Sequence, residues 1–192
     1  MVSIVEDLMK QVATGDNLSA ISKAVGGDQN AVKSALGMGL PLIVGSMANK
    51  AATPGGADML MKTLSQTGSS NPMDNLGGFL ANPQGAIGAT MVTSLLGSQM
   101  TGIQTAISQK TGLPPAIVGK VLAIATPIVM GYVSKMFMGK KVDQAGLSSL
   151  LGDQAKMALA SSPDAANMAK QLMANPEVQS GIVGSLKKFL KG

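Results

Sequence analysis

The sequence predicts an all-α protein, a multi-helix globular bundle of about eight to ten short helices. Three observations support this fold class. No stretch alternates apolar and polar residues with the β-branched and aromatic enrichment of strands. Glycines, and capping residues followed directly by proline, recur along the chain at the spacing of helix ends. Both ends of the chain place apolar residues on one side of a helical wheel.

The first predicted helix begins near residue 4. Its apolar residues fall within one arc, and its charged residues fall on the other side. We expect Ile4, Leu8 and Val12, which belong to this arc, to contribute to self-association.

Two segments then follow the same plan, which we interpret as helix, turn and helix, followed by a helix that either starts or kinks at a proline. In the first segment, Gly26 ends a helix, Asp28 caps the next one, and Pro41 interrupts or restarts it. In the second segment, Gly112 is the predicted stop, and the next helix starts at Pro114 and Pro115.

These two segments are related by an internal repeat. Residues 20–49 align with residues 106–135 without a gap, at an offset of 86. Because glycine and proline punctuate chains, their recurrence at fixed offsets predicts shared backbone geometry and an ancestral duplication. The units span about 17–52 and 103–138. The eight identical pairs are Ala20/Ala106, Ile21/Ile107, Ser22/Ser108, Gly26/Gly112, Val32/Val118, Leu36/Leu122, Pro41/Pro127 and Gly45/Gly131.

Four further helices are predicted where a capping side chain precedes proline, the usual order of N-cap and first helical residue. Gly68 and Gly97 are the predicted ends of the first two of these helices. The four pairs are Thr53-Pro54, Asn82-Pro83, Ser162-Pro163 and Asn175-Pro176, and they open predicted segments 54–66, 83–96, 163–174 and 176–190.

The last of these segments is amphipathic. Its apolar arc predicts a second self-association surface, and its lysines suit an anionic membrane surface or the negative end of the helix dipole. The residues of the arc that we expect to self-associate are Ile182, Leu186, Phe189 and Leu190. The lysines are Lys187, Lys188 and Lys191.

Two apolar stretches, 35–48 and 121–134, come nearest to membrane spans. A helix of this length covers about 21 Å, less than the hydrocarbon thickness of about 30 Å, so we expect buried core helices. The alternative is a re-entrant or interfacial segment. Glu6 and Asp7 stand where a signal peptide would carry positive charge, so we expect no signal peptide.

The composition excludes several function classes. The chain contains no Cys, His, Arg or Trp. It therefore has no disulfide, thiolate nucleophile, histidine triad, imidazole metal site or guanidinium clamp for phosphate. Its ten acidic residues are scattered and form no obvious catalytic or metal-binding set, and we expect neither an enzyme nor a cofactor.

Three motifs favour packing over chemistry. Gly26 and Gly112 occur at helix-turn-helix spacing, but the second helices carry few groups that could read DNA bases. The segment from Gly112 to Lys120 has the wrong spacing for a phosphate-binding loop. Thioethers suit Cu(I), but the two residues of a Met-x-Met pair point to different faces of a helix. The pairs are Met59/Met61 and Met136/Met138.

The chain resembles the YidB-like bacterial family of unknown function. The resemblance rests on residues 21–32, 35–45, 53–57 and 74–80, and on 109–113 and 122–131 in the second unit, within residues 5–152 overall. It implies a homeodomain-like helical arrangement in a cytoplasmic bacterial protein, with no catalytic residues or cofactor to carry over. Residues 153–192 lie outside the resemblance and form a predicted C-terminal extension.

The leading functional hypothesis is a non-enzymatic structural or scaffolding protein that forms a homo-oligomer or filament. Apolar residues make up 45% of the chain and charged residues 13%, so we expect a monomer to expose apolar patches. One alternative is a peripheral membrane-binding module that uses the C-terminal helix. Another is a DNA-associated helix-turn-helix protein, although nucleic-acid binding is disfavoured. No small-molecule substrate is evident.

Overall fold

The computed structural model describes residues 3–69, 71–81, 85–97, 99–137 and 143–174, and these residues form an all-helical bundle without strands. This confirms the predicted all-α class. The helices are α1 (Ile4–Val12), α2 (Gly15–Val25), α3 (Gln29–Ala51), α4 (Gly56–Ser69), α5 (Leu76–Ala81), α6 (Gly85–Leu96), α7 (Gln99–Thr111), α8 (Pro115–Phe137), α9 (Gln144–Ser161) and α10 (Pro163–Ala174).

Several helix ends lie where the sequence predicted them. Gly26 and Gly112 adopt left-handed backbone conformations, with φ of 77° and 75°, directly after α2 and α7. The carboxylate of Asp28 accepts hydrogen bonds from the backbone N–H groups of Asn30 and Ala31 at the start of α3. Helix α8 begins at Pro115 and α10 at Pro163, since proline needs no N–H partner in the first turn.

The Thr53-Pro54 prediction was wrong, because α4 begins only at Gly56. The Thr53 hydroxyl instead donates to the backbone carbonyl of Lys50, so it closes α3 and does not open α4. Helix α4 also continues through Gly68, the predicted stop. The Asn82-Pro83 and Asn175-Pro176 pairs lie outside the described residues.

Pro41 and Pro127 lie inside α3 and α8, so the predicted interruption or restart of the helix at Pro41 was wrong, and the alternative of a proline within the helix holds. A proline lacks the N–H that would pair with the carbonyl four residues earlier. At Pro41 that carbonyl belongs to Gly37, and the Ser162 hydroxyl donates to it at 3.3 Å. At Pro127 it belongs to Ala123, and α6 approaches it so closely at Gly88 that a Cβ there would overlap the oxygen. A hydrogen bond from Ser162, between α9 and α10, thus satisfies one freed carbonyl, and the backbone of α6 lies against the other.

Helices α3 and α8 form the centre of the bundle and pack against each other. Helix α3 also packs against α9, and α8 packs against α4 and α6, so helices distant in sequence interlock. Both ends of α8 lie 86 residues beyond the corresponding ends of α3. Asp58 in α4 accepts a hydrogen bond from Gln144 in α9, and these positions are also 86 apart.

The two central helices have 23 residues each, which by length and composition is enough to cross a membrane. The expectation that they are too short for this was wrong, because both helices extend beyond the apolar stretches 35–48 and 121–134 at each end. In each, 67% of the most apolar window is buried inside the bundle, as in the core helix of a soluble protein. Helix α9 also runs unbroken across residue 152, where the C-terminal extension was predicted to begin.

Candidate ligand cavity

The predicted N-terminal contact residues are part of the core. Ile4, Leu8 and Val12 are 3%, 0% and 0% exposed, on the face of α1 that packs against the central helices. The apolar arc packs against other helices of the bundle. Those helices belong to the same chain, so the three side chains offer no free face for a second copy. The remaining predicted contact residues lie outside the described residues: Ile182, Leu186, Lys187, Lys188, Phe189, Leu190 and Lys191.

The described surface has few exposed large apolar side chains. Met59, at 47% exposure, is the one example among the residues whose side-chain burial the structure describes. The apolar excess that predicted exposed patches is instead buried around α3 and α8, which are lined on most sides by other helices. The high apolar content therefore does not produce a large exposed apolar patch on this part of the chain.

Met59 lies at an open cavity of about 410 Å³ between α3, α4, α6 and α8. This volume falls within the range of about 300–1,000 Å³ that is usual for small-molecule sites. Lys50 comes from the last turn of α3, and Met130 forms part of the buried wall on α8. The other lining residues are Met59, Leu60 and Thr63 of α4, and Thr90, Met91, Ser94 and Leu95 of α6.

The polar groups of the cavity are few. The Thr63 hydroxyl donates its proton to the carbonyl of Met59 within α4, so it is not free to donate to a ligand. The half-buried Lys50 side chain makes no ion pair with a described residue. By contrast, Lys110 pairs with Asp164 at 3.2 Å, and Lys135 pairs with Asp74. Lys50 is thus a cation at an apolar cavity without an acidic partner among the residues that the structure describes.

The corresponding end of α8 is closed. Met136 and Phe137 lie 86 residues beyond Lys50 and Ala51, and they line a remnant of only about 20 Å³ against α1 and α9. The Gln154 side-chain oxygen there accepts a hydrogen bond from the backbone N–H of Ile4 at 2.9 Å. Two large side chains therefore fill the end of α8, whereas the cavity beside Lys50 stays open at the end of α3.

A second depression, of about 730 Å³, lies between α1, α3 and α10. It is shallow and is lined by charges of both signs, from Glu6, Lys10 and Asp164. It lacks the apolar enclosure that removes most of a small ligand from water. We therefore take the cavity beside Met59 as the candidate site.

No group of three or more acidic residues is placed to hold a metal ion within the described ranges. Only Met59 of the Met59/Met61 pair lines the cavity, and Met138 of the second pair lies outside the described residues. Sequence analysis missed Lys50, Met91 and Met130 as cavity residues. A signal was available in the repeat, since Lys50-Ala51 aligns with Met136-Phe137 at the same offset of 86.

Comparison with known proteins identifies a family and no activity. Among curated proteins and among solved structures, nothing matches this chain significantly. A family model described as "Bacterial protein of unknown function (DUF937)" matches residues 7–136, which is more than half of the chain and includes both central helices and the cavity. The match agrees with the predicted membership of an uncharacterised bacterial family. The chain belongs to the DUF937 family of bacterial proteins of unknown function.

Proposed function

We propose that this chain is a non-enzymatic helical protein that binds a small apolar ligand in the cavity between α3, α4, α6 and α8. The observation that carries the proposal is an open cavity of about 410 Å³ with a mainly apolar lining. Because the cavity is open, its apolar wall lies in contact with water, and exposed apolar surface costs roughly 25 cal/mol per Å². A ligand that fills the cavity and excludes water from its wall would offset this cost.

A duplication explains how such a cavity arises. We infer that the units at about 17–52 and 103–138 are duplicated helix-turn-helix-like elements. The matched ends of α3 and α8, the left-handed Gly26 and Gly112, and the Asp58–Gln144 hydrogen bond support this inference. In this account one unit kept a filled end and the other became a binding site. The homeodomain-like arrangement stays a prediction.

The side-chain chemistry supports binding without catalysis. Among the described lining residues there is no carboxylate, and Lys50 is the one ionisable group. Such a site can enclose and orient a ligand, but it lacks the paired acid and base that hydrolysis or group transfer needs.

The test is a titration of the full chain with 1-decanol, observed by NMR of ¹³C-labelled methionine methyl groups. We expect saturable shifts of Met59, Met91 and Met130, which line the cavity, while Met47 and Met168 in the core stay unchanged. Absence of a saturable shift, or equal shifts throughout the core, would refute the proposal.

A matched pair of variants localises the effect. Ser94→Phe places an aromatic ring at the cavity wall from an exposed position, so it should weaken 1-decanol binding at least tenfold without unfolding the chain. Thr93→Phe adds the same ring at the next exposed position of α6, which does not line the cavity, and should leave binding unchanged. Equal weakening by both variants would contradict the assigned site.

Self-association is a second candidate, favoured by the apolar arc in the sequence of residues 176–192. With the N-terminal arc buried, the C-terminal arc carries this candidate alone. Light scattering of the full chain over a hundredfold concentration range should show oligomers or filaments, and a chain ending at residue 175 should be monomeric. A full chain that is monomeric throughout would reject it.

The other two alternatives have less support. Membrane binding depends on Lys187, Lys188 and Lys191 in the same C-terminal segment, and flotation of the full chain with anionic vesicles tests it. DNA reading is disfavoured because α3 and α8 are mostly buried and would have to enter a groove.

A further inference from the structure

We propose that the cavity ligand is a single-chain amphipathic anion, a free alkyl carboxylate whose chain enters the apolar cavity and whose head group pairs with Lys50. This inference rests on the proposed function and adds the chemical class of the ligand. Three features of the cavity determine that class: the isolated cation, the flexible apolar wall and the substitutions relative to the closed end.

The cation is available for a ligand. Lys50 is half-buried in the last turn of α3, where a lysine often interacts with the terminal carbonyls of its helix. Its own carbonyl, however, already accepts hydrogen bonds from the Thr53 hydroxyl at 2.7 Å and from the Thr53 N–H at 3.1 Å. None of the described carboxylates forms an ion pair with the Lys50 ammonium. A ligand anion would therefore meet an ammonium group with no acidic competitor there.

The wall suits a flexible chain. Met59, Met91 and Met130 come from three different helices and converge on the cavity, together with two leucines. Methionine is unbranched and polarisable, so it adapts to irregular apolar shapes. A linear alkyl chain would contact these thioethers along its length, while the exposed Met59 and the half-buried Lys50 lie at the opening to solvent.

The residue differences between the two ends of the bundle also favour an anionic ligand. At the closed end, Met136 occupies the position that corresponds to Lys50, and Phe137 occupies that of Ala51. Methionine and lysine have similar linear side chains, so the difference between the two ends mainly adds a charge at the opening. A cavity for a neutral ligand would need no charge at this position.

The experiment compares decanoate with 1-decanol on the full chain at pH 8, where a carboxylate is ionised. Both ligands should shift the methyl signals of Met59, Met91 and Met130, and decanoate should bind about tenfold more tightly because a hydrogen bond to a charged group stabilises it. If both bind equally, the proposed function stands and this inference fails. If neither shifts these signals, both fail.

Two lysine variants test the partner. Lys50→Met copies the residue at the closed end and should remove the preference for decanoate while 1-decanol still binds. Lys62→Met removes an exposed lysine of α4 that does not line the cavity, and should preserve the preference. Retention of the preference in Lys50→Met, or its loss in both variants, would overturn the assignment.

A third arm distinguishes a free carboxylate from a lipid head group in a bilayer. Vesicles with phosphatidylglycerol should leave the three methionine signals unchanged at concentrations at which decanoate saturates them. If vesicles shift these signals and decanoate does not, the site recognises a membrane and the inference is wrong. If the signals change with protein concentration and decanoate has no effect, a second copy of the chain fills the cavity and the inference is equally wrong.

Discussion

Tyr132 connects the second central helix to α1. Its hydroxyl donates to the Asp7 carboxylate at 2.8 Å. Burial raises the pKa of Tyr132 to about 12, and the hydrogen bond to Asp7 and the negative charge of that carboxylate act in the same direction. The group is therefore protonated in the folded chain at pH values at which an unfolded tyrosine, with a pKa of about 10, has begun to lose its proton.

This difference in pKa predicts a loss of stability at high pH. The contribution of Tyr132 to folding is complete below pH 10, and it is lost as the pH rises from the unfolded pKa of about 10 through the folded pKa of about 12. Urea unfolding between pH 8 and pH 12 should show this loss, and Tyr132→Phe should remove the part of it that arises from tyrosine.

Absorbance of tyrosinate gives an independent reading, because the chain has a single tyrosine. The midpoint of the titration should lie near 12 in the native protein and should fall in Asp7→Ala, which lacks the acceptor. Glu6→Ala removes an exposed neighbouring charge and should have a much smaller effect. A midpoint at the ordinary tyrosine value in the unaltered chain would show that the contact is absent.

Gly45 and Gly131 are equivalent in the repeat but differ in their surroundings. Nothing lies within 4 Å of a Cβ added at Gly45, whereas a Cβ at Gly131 would overlap the Asn71 side chain. Asn71 is buried, and its amide donates to the Gly131 carbonyl at 2.9 Å, so it has little freedom to move away. The same substitution should therefore have opposite effects at the two positions.

We expect Gly131→Ala to destabilise the fold by about 1–3 kcal/mol through overpacking and a disturbed buried hydrogen bond. Gly45→Ala should stabilise it by up to about 1 kcal/mol, because alanine loses less entropy than glycine within a helix. Urea unfolding of the two variants measures both values. Similar changes in both would show that the units have the same surroundings at this position.

The amphipathic pattern of α1 predicts which side of the helix is buried, but it does not predict which surface covers that side. The sequence identified the apolar arc correctly, and a second copy of the chain or the chain's own core could have covered it. The structure assigns the arc to the core, with Leu8 fully buried. The apolar arc of α1 therefore stabilises the fold of the single chain and is not available as an interface between copies.

Leu8→Ala tests this assignment. A buried leucine truncated to alanine loses about 2–5 kcal/mol of stability. We expect a loss of this size in urea unfolding, and we expect it to be the same at low and high protein concentration. A loss that grows with protein concentration would instead place Leu8 in an interface between copies.

The central helices show why proline was a misleading signal. Pro41 and Pro127 each remove one hydrogen bond, and in an isolated helix that loss predicts a break. In the bundle, Ser162 and Gly88 contact the two freed carbonyls from other helices. These partners are distant in sequence, so helix continuity could not be predicted from the neighbourhood of either proline.

At the scale of the whole molecule, the two halves depend on each other. Helix α3 packs against α9 of the second half, and α8 packs against α4 of the first half. The Ser134 hydroxyl in α8 also donates to the Leu64 carbonyl in α4 at 3.0 Å. Each half alone would expose the apolar faces that its partner covers.

We therefore expect residues 1–82 and residues 83–192, expressed separately, to lack a cooperative thermal transition by circular dichroism. Mixing the two fragments should restore helical signal and a transition. Independent cooperative folding of either half would show that contacts between the halves are not required for its core.

The sequence predicted one part of the candidate site, the difference between the two units, but not the cavity itself. The repeat aligned Lys50-Ala51 with Met136-Phe137, so a change in size and charge between the units was visible. Whether this change opens a cavity depends on the helices that pack beside each end. Helices α4 and α6 complete the cavity wall at one end, and α1 and α9 close the other end. Nothing in local spacing reveals which helix from elsewhere in the chain lies beside a given turn.

The sequence by itself determined the helical class, many helix ends and the matched pair of central segments, because capping, glycine conformation and apolar periodicity are local properties of the chain. Only the tertiary structure decided that the prolines lie within continuous helices, that α1 is core, and that one end of the bundle is open and the other filled. Each of these depends on contacts between residues far apart in sequence, and burial there is decided by what the rest of the fold places nearby.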